Sequence, residues 1–421
     1  MIKRNESSKG DYRLKAKDGE YPLRVTAELW EIEYFDQIRL FAVDHPAGVQ
    51  IFTNEKVGPS SMAEHMIHTV HAPRLPVGAR DSQGFDVLDQ VKHCDGIYTK
   101  TYDHKLAQGL TTEHFLELDL GDWTTDSTSR PDNSAPVEKE TADESVSRSS
   151  IPPRRVVLFL TGWMYPASTS LNVQFSQNPD GPKLQPPSLH AVDAKGQWHE
   201  VRPFMGFPGG KTKTIAVDIS DVFEPGSTDH RLRIVTNMEF YWDAAFFTID
   251  DEPAQFRETE LKLLRARLQD RGGVSLRQWP QSGNGPELFD YQTLVPGDMW
   301  PPIEGAFTRY GNVLPLLTTR DDHLVVMHPG DEIQLAFAIP ADPLPEGWVR
   351  DFVINDVGWD KDCDLNTVYG ETVEPMPFRA MTTYGQQRPM DEDYARYLED
   401  YQTRTRSRAP FWNRLRQSQH P

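Results

Sequence analysis

Short apolar runs separated by turn residues constrain this chain more than any other feature of its sequence. Residues 156–160 are continuously apolar, and residues 115–120 alternate apolar with acidic side chains, as expected of a half-buried β-strand. The chain also contains 33 prolines and 28 glycines, which favour short elements joined by turns. The sequence therefore predicts a mainly β protein with two or more β-sandwich or jelly-roll-like units and a C-terminal helix.

Other elements follow from local composition and spacing. Residues 255–270 are rich in Glu, Leu, Arg and Ala and are predicted to be helical, whereas residues 272–302 are predicted to form a loop. Residues 390–419 are predicted to form the C-terminal helix from four side chains at helical spacing: Tyr394, Tyr397, Leu398 and Tyr401. Further strands are predicted at 38–43, 49–52, 188–192, 213–219, 232–236, 246–249, 323–327, 333–338 and 352–355.

A change in composition divides the chain. Residues 122–153 consist mostly of Ser, Thr, Asp, Glu and Pro, which cannot bury enough apolar surface to offset the entropy of ordering. The predicted regions are an N-terminal β region (1–121), a disordered linker or long loop (122–153), a jelly-roll-like β-sandwich (154–252), a C-terminal β region (253–385) and a C-terminal helical tail (386–421). By analogy the sandwich is expected to be galactose-binding-like, and the two flanking β regions can pack with it as one unit.

The charge balance limits the partners. The net charge is −19, which argues against nucleic acid and against anionic lipid surfaces as partners. No apolar stretch reaches the roughly 20 residues needed to span a bilayer, so no membrane insertion is expected. Residues 1–21 lack the apolar region of a signal peptide, so the chain is either cytoplasmic or a piece of a longer exported protein. Cys94 and Cys363 form no CxxC pair, which excludes a zinc ribbon.

The first candidate site is acidic and follows the predicted strand at 352–355. Oxygen side chains at alternate positions can converge on one hard cation, as in an EF-hand loop. The predicted calcium ligands are Asp360, Asp362, Asp364, Asn366 and Glu371. Glu371 falls at the closing position of such a loop, but Leu365 replaces the glycine of its sharp turn. The alternative is a solvated acidic turn between strands.

The second candidate site is aromatic. Sugar-binding sandwiches present flat aromatic faces beside polar side chains, and Trp198 belongs to the same aromatic set. The predicted ligand-binding residues are Trp163, Tyr165, Asn237, Tyr241, Trp242 and Asp243. The alternative is that these aromatic side chains pack in the core, as aromatic residues usually do.

The third candidate site is a histidine group. His65, His68 and His71 recur at a spacing of three beside Glu64, which on a helix would make a transition-metal site conceivable. The order of Glu64 and His65 does not match the HExxH motif. The alternative, which we favour, is three unrelated imidazoles.

Two segments echo each other. The tetrapeptide at 33–36 (EYFD) precedes an apolar strand that ends in Asp44, and the tetrapeptide at 240–243 (FYWD) precedes one that ends in Asp250. The spacing differs by one residue. The echo indicates either a duplicated sandwich or chance.

Several longer motifs resemble a known family. They include "VVLFLTGW", "GKTKTIAVDIS", "RLRIVTNMEFYWDAAFF", "PPIEGAFTRYGNVLPLL" and "LPEGWVRDFVINDVGWDKDCDLNTVYG", with "YFDQIRLFAVDHPAGVQIFTNEK" near the start. Together they resemble the C-terminal region of bacterial proteins that carry FG-GAP/ASPIC-UnbV or tetratricopeptide repeats. The resemblance implies a non-catalytic module with exported relatives, although this chain lacks the repeats.

These observations predict a non-catalytic binding or interaction module. The expected partner is a carbohydrate or a protein, and the expected ion is a structural calcium. No GxSxG motif and no GxGxxG motif after a strand is present. Two alternatives stay open, a glycan-directed hydrolase that uses carboxylates or a metal and a structural component of an assembly.

Overall fold

The computed structural model describes residues 14–59, 62, 66–123, 154–224, 226–277, 284–295 and 299–418. Most of the predicted 122–153 linker and one member of the candidate histidine group, His65, lie outside these residues. The described chain is mainly β with short C-terminal helices, which confirms the predicted fold class.

The strands are named in chain order. They are β1 (Glu20–Thr26), β2 (Glu31–Pro46), β3 (Gln50–Thr53), β4 (Lys56–Val57), β5 (Ile67–Val70), β6 (Gly78–Asp81), β7 (Thr99–Lys100), β8 (Lys105–Ala107), β9 (Leu110–Asp119), β10 (Val156–Met164), β11 (Ser188–Val192), β12 (Trp198–Arg202), β13 (Phe207–Pro208), β14 (Lys213–Asp218), β15 (Arg231–Met238), β16 (Phe240–Ile249), β17 (Arg257–Leu261), β18 (Leu263–Asp270), β19 (Gly273–Arg277), β20 (Leu288–Val295), β21 (Gly305–Phe307), β22 (Gly311–Asn312), β23 (Val325–Met327), β24 (Asp331–Ala338), β25 (Trp348–Asp362) and β26 (Arg404–Arg406). The helices are α1 (Leu88–Val91), α2 (Thr169–Gln177), α3 (Glu392–Tyr401) and α4 (Ala409–Ser418), with a 3₁₀ turn at Leu314–Leu316.

The first sandwich is built from two sheets that share one core. In one sheet, β2 pairs with β25 along its length and with β17 and β23. The facing sheet has the order β1-β24-β18-β22. Alternate residues of β2, such as Ile32 and Leu40, are fully buried and join Leu268 and Phe337 of the facing sheet in the core. This alternation places one face of β2 inward, as the period of a strand requires.

The second sandwich has a four-stranded sheet, β14-β10-β16-β7, and a six-stranded sheet, β12-β11-β15-β9-β6 with β8 beside β9. Leu158 and Trp242 of the four-stranded sheet share a core with Leu118 and Ile234 of the six-stranded sheet. All four side chains are at most 1% exposed.

The four-stranded sheet of the second sandwich is covered on its outer face as well. Phe52 and Val70, from the paired strands β3 and β5, pack on Phe159 and Phe246. The last two rings are stacked with their centroids 4.7 Å apart. Because both faces of this sheet are buried, the sequence of β10 is continuously apolar rather than alternating.

The two cores do not follow the chain in order. Tyr21 to Ala42 share the first core with residues from Leu261 to Tyr397, whereas the second core draws its residues from Ala79 to Ile249. The predicted N-terminal region, 1–121, therefore contributes strands to both cores. The second sandwich is connected to the first between β2 and β17.

The predicted helix at 255–270 is wrong, because these residues form β17 and β18. In β18, Ala266 and Leu268 are buried while Arg265 and Arg267 are exposed. This alternation places every second side chain in the first core, and that burial outweighs the helical propensity of Glu, Leu and Arg. The prediction of a loop at 272–302 is also wrong in part, because β19 and β20 lie within this range and pair with each other.

The C-terminal helix predicted at 390–419 is two helices, α3 and α4, with β26 between them. The side chain of Asp391 accepts a hydrogen bond from the Tyr394 backbone N–H and so caps the start of α3. Tyr394 and Tyr397 are buried against the first core, as their spacing predicted.

The first half of the sequence echo contains a buried bulge residue. Asp36 is skipped in the pairing of β2 with β25, so it forms a β-bulge. Its Oδ1 accepts hydrogen bonds from the backbone N–H groups of Asp321 and Asp322, at 3.1 and 2.9 Å. Asp322 has a positive φ of 63° and lies three residues before β23, which pairs with β2 just before the bulge.

The second half of the echo has the same local structure. Asp243 is skipped in the pairing of β16 with β10, and its Oδ1 accepts from the N–H groups of Asp95 and Gly96, at 3.2 and 3.0 Å. Gly96 has a φ of 79° and lies three residues before β7, which pairs with β16 just before the bulge. The two segments share a conformation as well as a sequence pattern, as a duplicated sandwich would predict.

Candidate functional site

Three of the predicted aromatic residues, Trp163, Tyr241 and Trp242, are buried rather than displayed, and Tyr165 is half-buried. The Trp163 and Tyr241 rings are stacked with centroids 4.5 Å apart, and Tyr98 and Tyr102 cover them. All four side chains are less than 10% exposed. Trp242 is 1% exposed in the second core. These rings therefore form packing layers on the two faces of the four-stranded sheet and offer no open platform for a sugar ring.

Buried hydrogen bonds hold the aromatic layer in place. The Tyr241 hydroxyl donates to Glu239 at 2.7 Å, and the Lys105 ammonium binds the same carboxylate at 2.9 Å. Lys105 also lies over the ring of Tyr165, 4.8 Å from its centroid. Burial raises the pKa of Tyr241, so its hydroxyl stays a donor. The network satisfies a carboxylate that is 1% exposed.

The polar residues of the aromatic prediction also have structural partners. Asn237 accepts from the Gln185 backbone N–H at 2.7 Å and donates to the Lys183 carbonyl at 2.8 Å. Asp243 is the bulge residue described above, and its second oxygen accepts from the Cys94 thiol at 3.2 Å. Burial raises the pKa of Asp243 to about 6.

The predicted calcium ligands are not gathered at one point. Asp360 and Asp362 belong to the end of β25 rather than to a loop. Asp364 accepts from the backbone N–H and the hydroxyl of Ser170, at 3.1 and 2.6 Å, and Asn366 donates to the same hydroxyl at 2.9 Å. The fifth predicted ligand, Glu371, forms an ion pair with Arg408.

Strand pairing instead brings two of these carboxylates to a third. Glu31 lies opposite Asp362, and Glu33 opposite Asp360, in the β2–β25 register. One carboxylate oxygen each of Glu31, Asp360 and Asp362 lie within 4.8 Å of one another. Burial, with repulsion from Asp360 and Asp362, raises the pKa of Glu31 to about 7. We call Glu31, Asp360 and Asp362 the carboxylate cluster. Sequence spacing could not reveal it because Glu31 is on another strand.

Among the described residues, His68 and His71 of the histidine group lie in different surroundings. His68 lies in β5 with its ring 5.7 Å from that of Phe159. His71 follows β5 and pairs with Asp251 at 3.3 Å. The two rings contact different parts of the second sandwich.

A polar groove crosses the outer face of the six-stranded sheet. Its volume is about 500 Å³. It is lined by side chains and backbone of β6, β9, β15 and the turn after β6: Val77, Gly78, Ala79, Arg80, Asp86, Glu117, Asp119 and Arg231. Arg80 lies opposite Glu117, and Asp119 lies opposite both Gly78 and Arg231, in the strand register. The groove therefore presents guanidinium donors beside carboxylate acceptors.

Neighbouring side chains hold the groove carboxylate Glu117 in place. Arg233 donates to it at 2.8 Å. The Arg233 guanidinium lies 4.0 Å from the centroid of Phe115 and 3.9 Å from that of Trp198. Such stacking fixes a guanidinium that would otherwise be mobile. The sequence signal for this face is the alternation at 115–120, whose acidic residues point away from the core.

Comparison with protein-family models, curated proteins and solved structures finds no match to this chain. The family resemblance stated above therefore stays a prediction. None of the helices in the described ranges is both long and apolar enough to cross a bilayer.

Proposed function

We propose that this chain is a non-catalytic binding module whose ligand, a carbohydrate or a segment of protein, lies in the polar groove of the six-stranded sheet. The observation that carries the proposal is the groove itself. It combines a volume of about 500 Å³ with convergent donors and acceptors on rigid strands. In ligand sites, accurately placed polar groups of this kind fix the orientation of the ligand and provide specificity.

The surrounding fold supports the proposal. Two antiparallel sheets, of four and six strands, share the second core, and with this arrangement as support we propose that the sandwich is a galactose-binding-like jelly roll. Side chains on strands keep their positions better than side chains on loops. The groove residues Arg80, Glu117 and Arg231 all lie on strands.

Arg80→Gln is expected to weaken ligand capture at least tenfold on an array of immobilised glycans and peptides. The guanidinium lines the groove, and among the described residues it has no ion-pair partner, so the substitution removes a donor without stranding a charge. A tenfold loss corresponds to about 1.4 kcal/mol. Because Arg80 is an exposed residue, the thermal midpoint of the variant should match that of the wild type.

A matched control is Arg396→Gln. Arg396 is 62% exposed on α3, in the first sandwich, and pairs only weakly with Glu392. The Arg396→Gln variant should be captured by the same spots of the array as the wild type. The proposal is overturned if no spot captures the wild-type chain. It is also overturned if Arg80→Gln is captured as well as Arg396→Gln.

We further propose that the carboxylate cluster holds a structural calcium ion. Calcium takes roughly six to eight oxygen ligands, including bidentate carboxylates. Three carboxylates supply up to six such oxygens. A divalent cation would also relieve the repulsion among the three carboxylates, which adds to the effect of burial in raising the pKa of Glu31. This proposal keeps Asp360 and Asp362 from the sequence prediction and adds Glu31.

Calcium is expected to raise the thermal midpoint of the wild-type chain, and a chelator is expected to reverse the rise. Binding only to the native state stabilises it by about 2.7 kcal/mol at a hundredfold excess over the dissociation constant. Asp362→Asn should abolish the rise. Asp364→Asn should retain it, because Asp364 contacts Ser170 and lies outside the cluster. A wild-type midpoint that is indifferent to calcium would refute the ion.

A further inference from the structure

The chemistry of the groove narrows the class of ligand. Resting on the proposed binding function, we infer that the groove binds an uncharged, polyhydroxylated ligand, namely a segment of neutral polysaccharide. The geometry that carries the inference is the alternation of guanidinium and carboxylate groups along one groove, with internal ion pairs cancelling part of the charge.

Two of the charged groups in the groove are neutralised from within the chain. Arg231 makes a two-point ion pair with Asp229, at 2.9 and 2.6 Å. Glu117 is paired with Arg233 at 2.8 Å. Neither pair leaves a net charge for a ligand to match. Both still offer hydrogen-bonding atoms, because a paired guanidinium or carboxylate has further donors or acceptors.

The remaining charges oppose each other. Arg80 supplies one cation, while Asp86 and Asp119 supply two anions. An anionic sugar such as a uronate would be repelled by Asp86 and Asp119 and by the chain's overall charge of −19. A cationic peptide would be repelled by Arg80. A hydroxyl group both donates and accepts, so a row of hydroxyls can form hydrogen bonds with guanidinium and carboxylate groups alike.

The groove also offers apolar surface for the C–H faces of sugar rings. Val77 lines it and is 64% exposed. Exposed apolar side chains next to polar groups are the usual composition of sites for amphipathic ligands.

Isothermal titration of the full chain with tetrasaccharides tests the inference. The neutral probes are the tetramers of β-1,4-glucose, β-1,4-mannose, β-1,4-xylose and β-1,4-galactose, and the anionic probe is tetragalacturonate. At least one neutral probe is expected to bind the wild type at least tenfold more tightly than tetragalacturonate does. Arg80→Gln and Asp119→Asn should each weaken that binding, whereas Arg396→Gln should not.

The outcomes separate the ligand class from the proposed function. If tetragalacturonate binds best and Arg80→Gln removes its binding, the groove is a site but the inferred class is wrong. If only peptides from the array bind, with the same dependence on Arg80, the binding module stands and the saccharide is refuted. If a neutral probe binds but ignores both groove substitutions, the groove is the wrong site, and both the inference and the proposed function fail.

Discussion

Asp243→Ala is expected to destabilise the second sandwich by several kcal/mol. The Asp243 carboxylate is 1% exposed and accepts from two consecutive backbone N–H groups. Leaving a buried donor unsatisfied costs about 1–3 kcal/mol, so two donors should cost about 2–6 kcal/mol. Urea unfolding followed by tryptophan fluorescence should show a lower midpoint with little change in slope.

Asp243→Asn is the matched control, because its carbonyl oxygen can still accept from Asp95 and Gly96. It should lose much less stability than the alanine variant. Asp36→Ala should repeat the large loss in the first sandwich, since Asp36 makes the same pair of hydrogen bonds with Asp321 and Asp322. Equal losses for Asp243→Ala and Asp243→Asn would show that the bulge hydrogen bonds contribute little.

Glu33→Gln is expected to make the protein more resistant to high pH. Burial, with repulsion from Glu31 and Asp360, raises the pKa of Glu33 to about 8. Between about pH 4.5 and pH 8 the native state therefore binds more protons than the unfolded state, so its stability falls as the pH rises. Glutamine resembles the protonated side chain and removes this loss.

The difference in the free energy of unfolding between the Glu33→Gln variant and the wild type should be small at pH 4.5 and largest at pH 9. One pKa unit is worth about 1.4 kcal/mol, and the pKa of Glu33 rises from 4.5 to about 8, so the difference at pH 9 should be on the order of 5 kcal/mol. Thermal or urea unfolding across this range measures it. Glu258→Gln, at an exposed site on β17, is the control and should follow the wild type. A difference that stays constant at every pH would contradict the raised pKa of Glu33.

Much of the fold could be predicted because strand patterns are local. The apolar run at 156–160 and the alternation at 115–120 mark β10 and β9 directly. The helix predicted at 255–270 failed because its residues favour helices individually, whereas tertiary pairing of β18 with β24 decides the outcome. The insertion of the second sandwich between β2 and β17 is a long-range property that no local pattern contains.

The candidate site was less predictable for the same reason. Arg80, Glu117 and Arg231 come from three separated strands, so only the sheet register brings them together. Trp163 and Tyr241 were predicted to be displayed, because an aromatic side chain looks the same in sequence whether its sheet face is open or covered. The structure covers that face with Tyr98 and Tyr102.

The central claim is that the ligand contacts the outer face of the six-stranded sheet. Hydrogen–deuterium exchange, with and without a saturating ligand identified on the array, tests it most directly. New protection is expected in peptides covering 77–87, 115–119 and 229–233. Protection confined to 163–165 and 237–243, or to 360–371, would place the ligand elsewhere and contradict the claim.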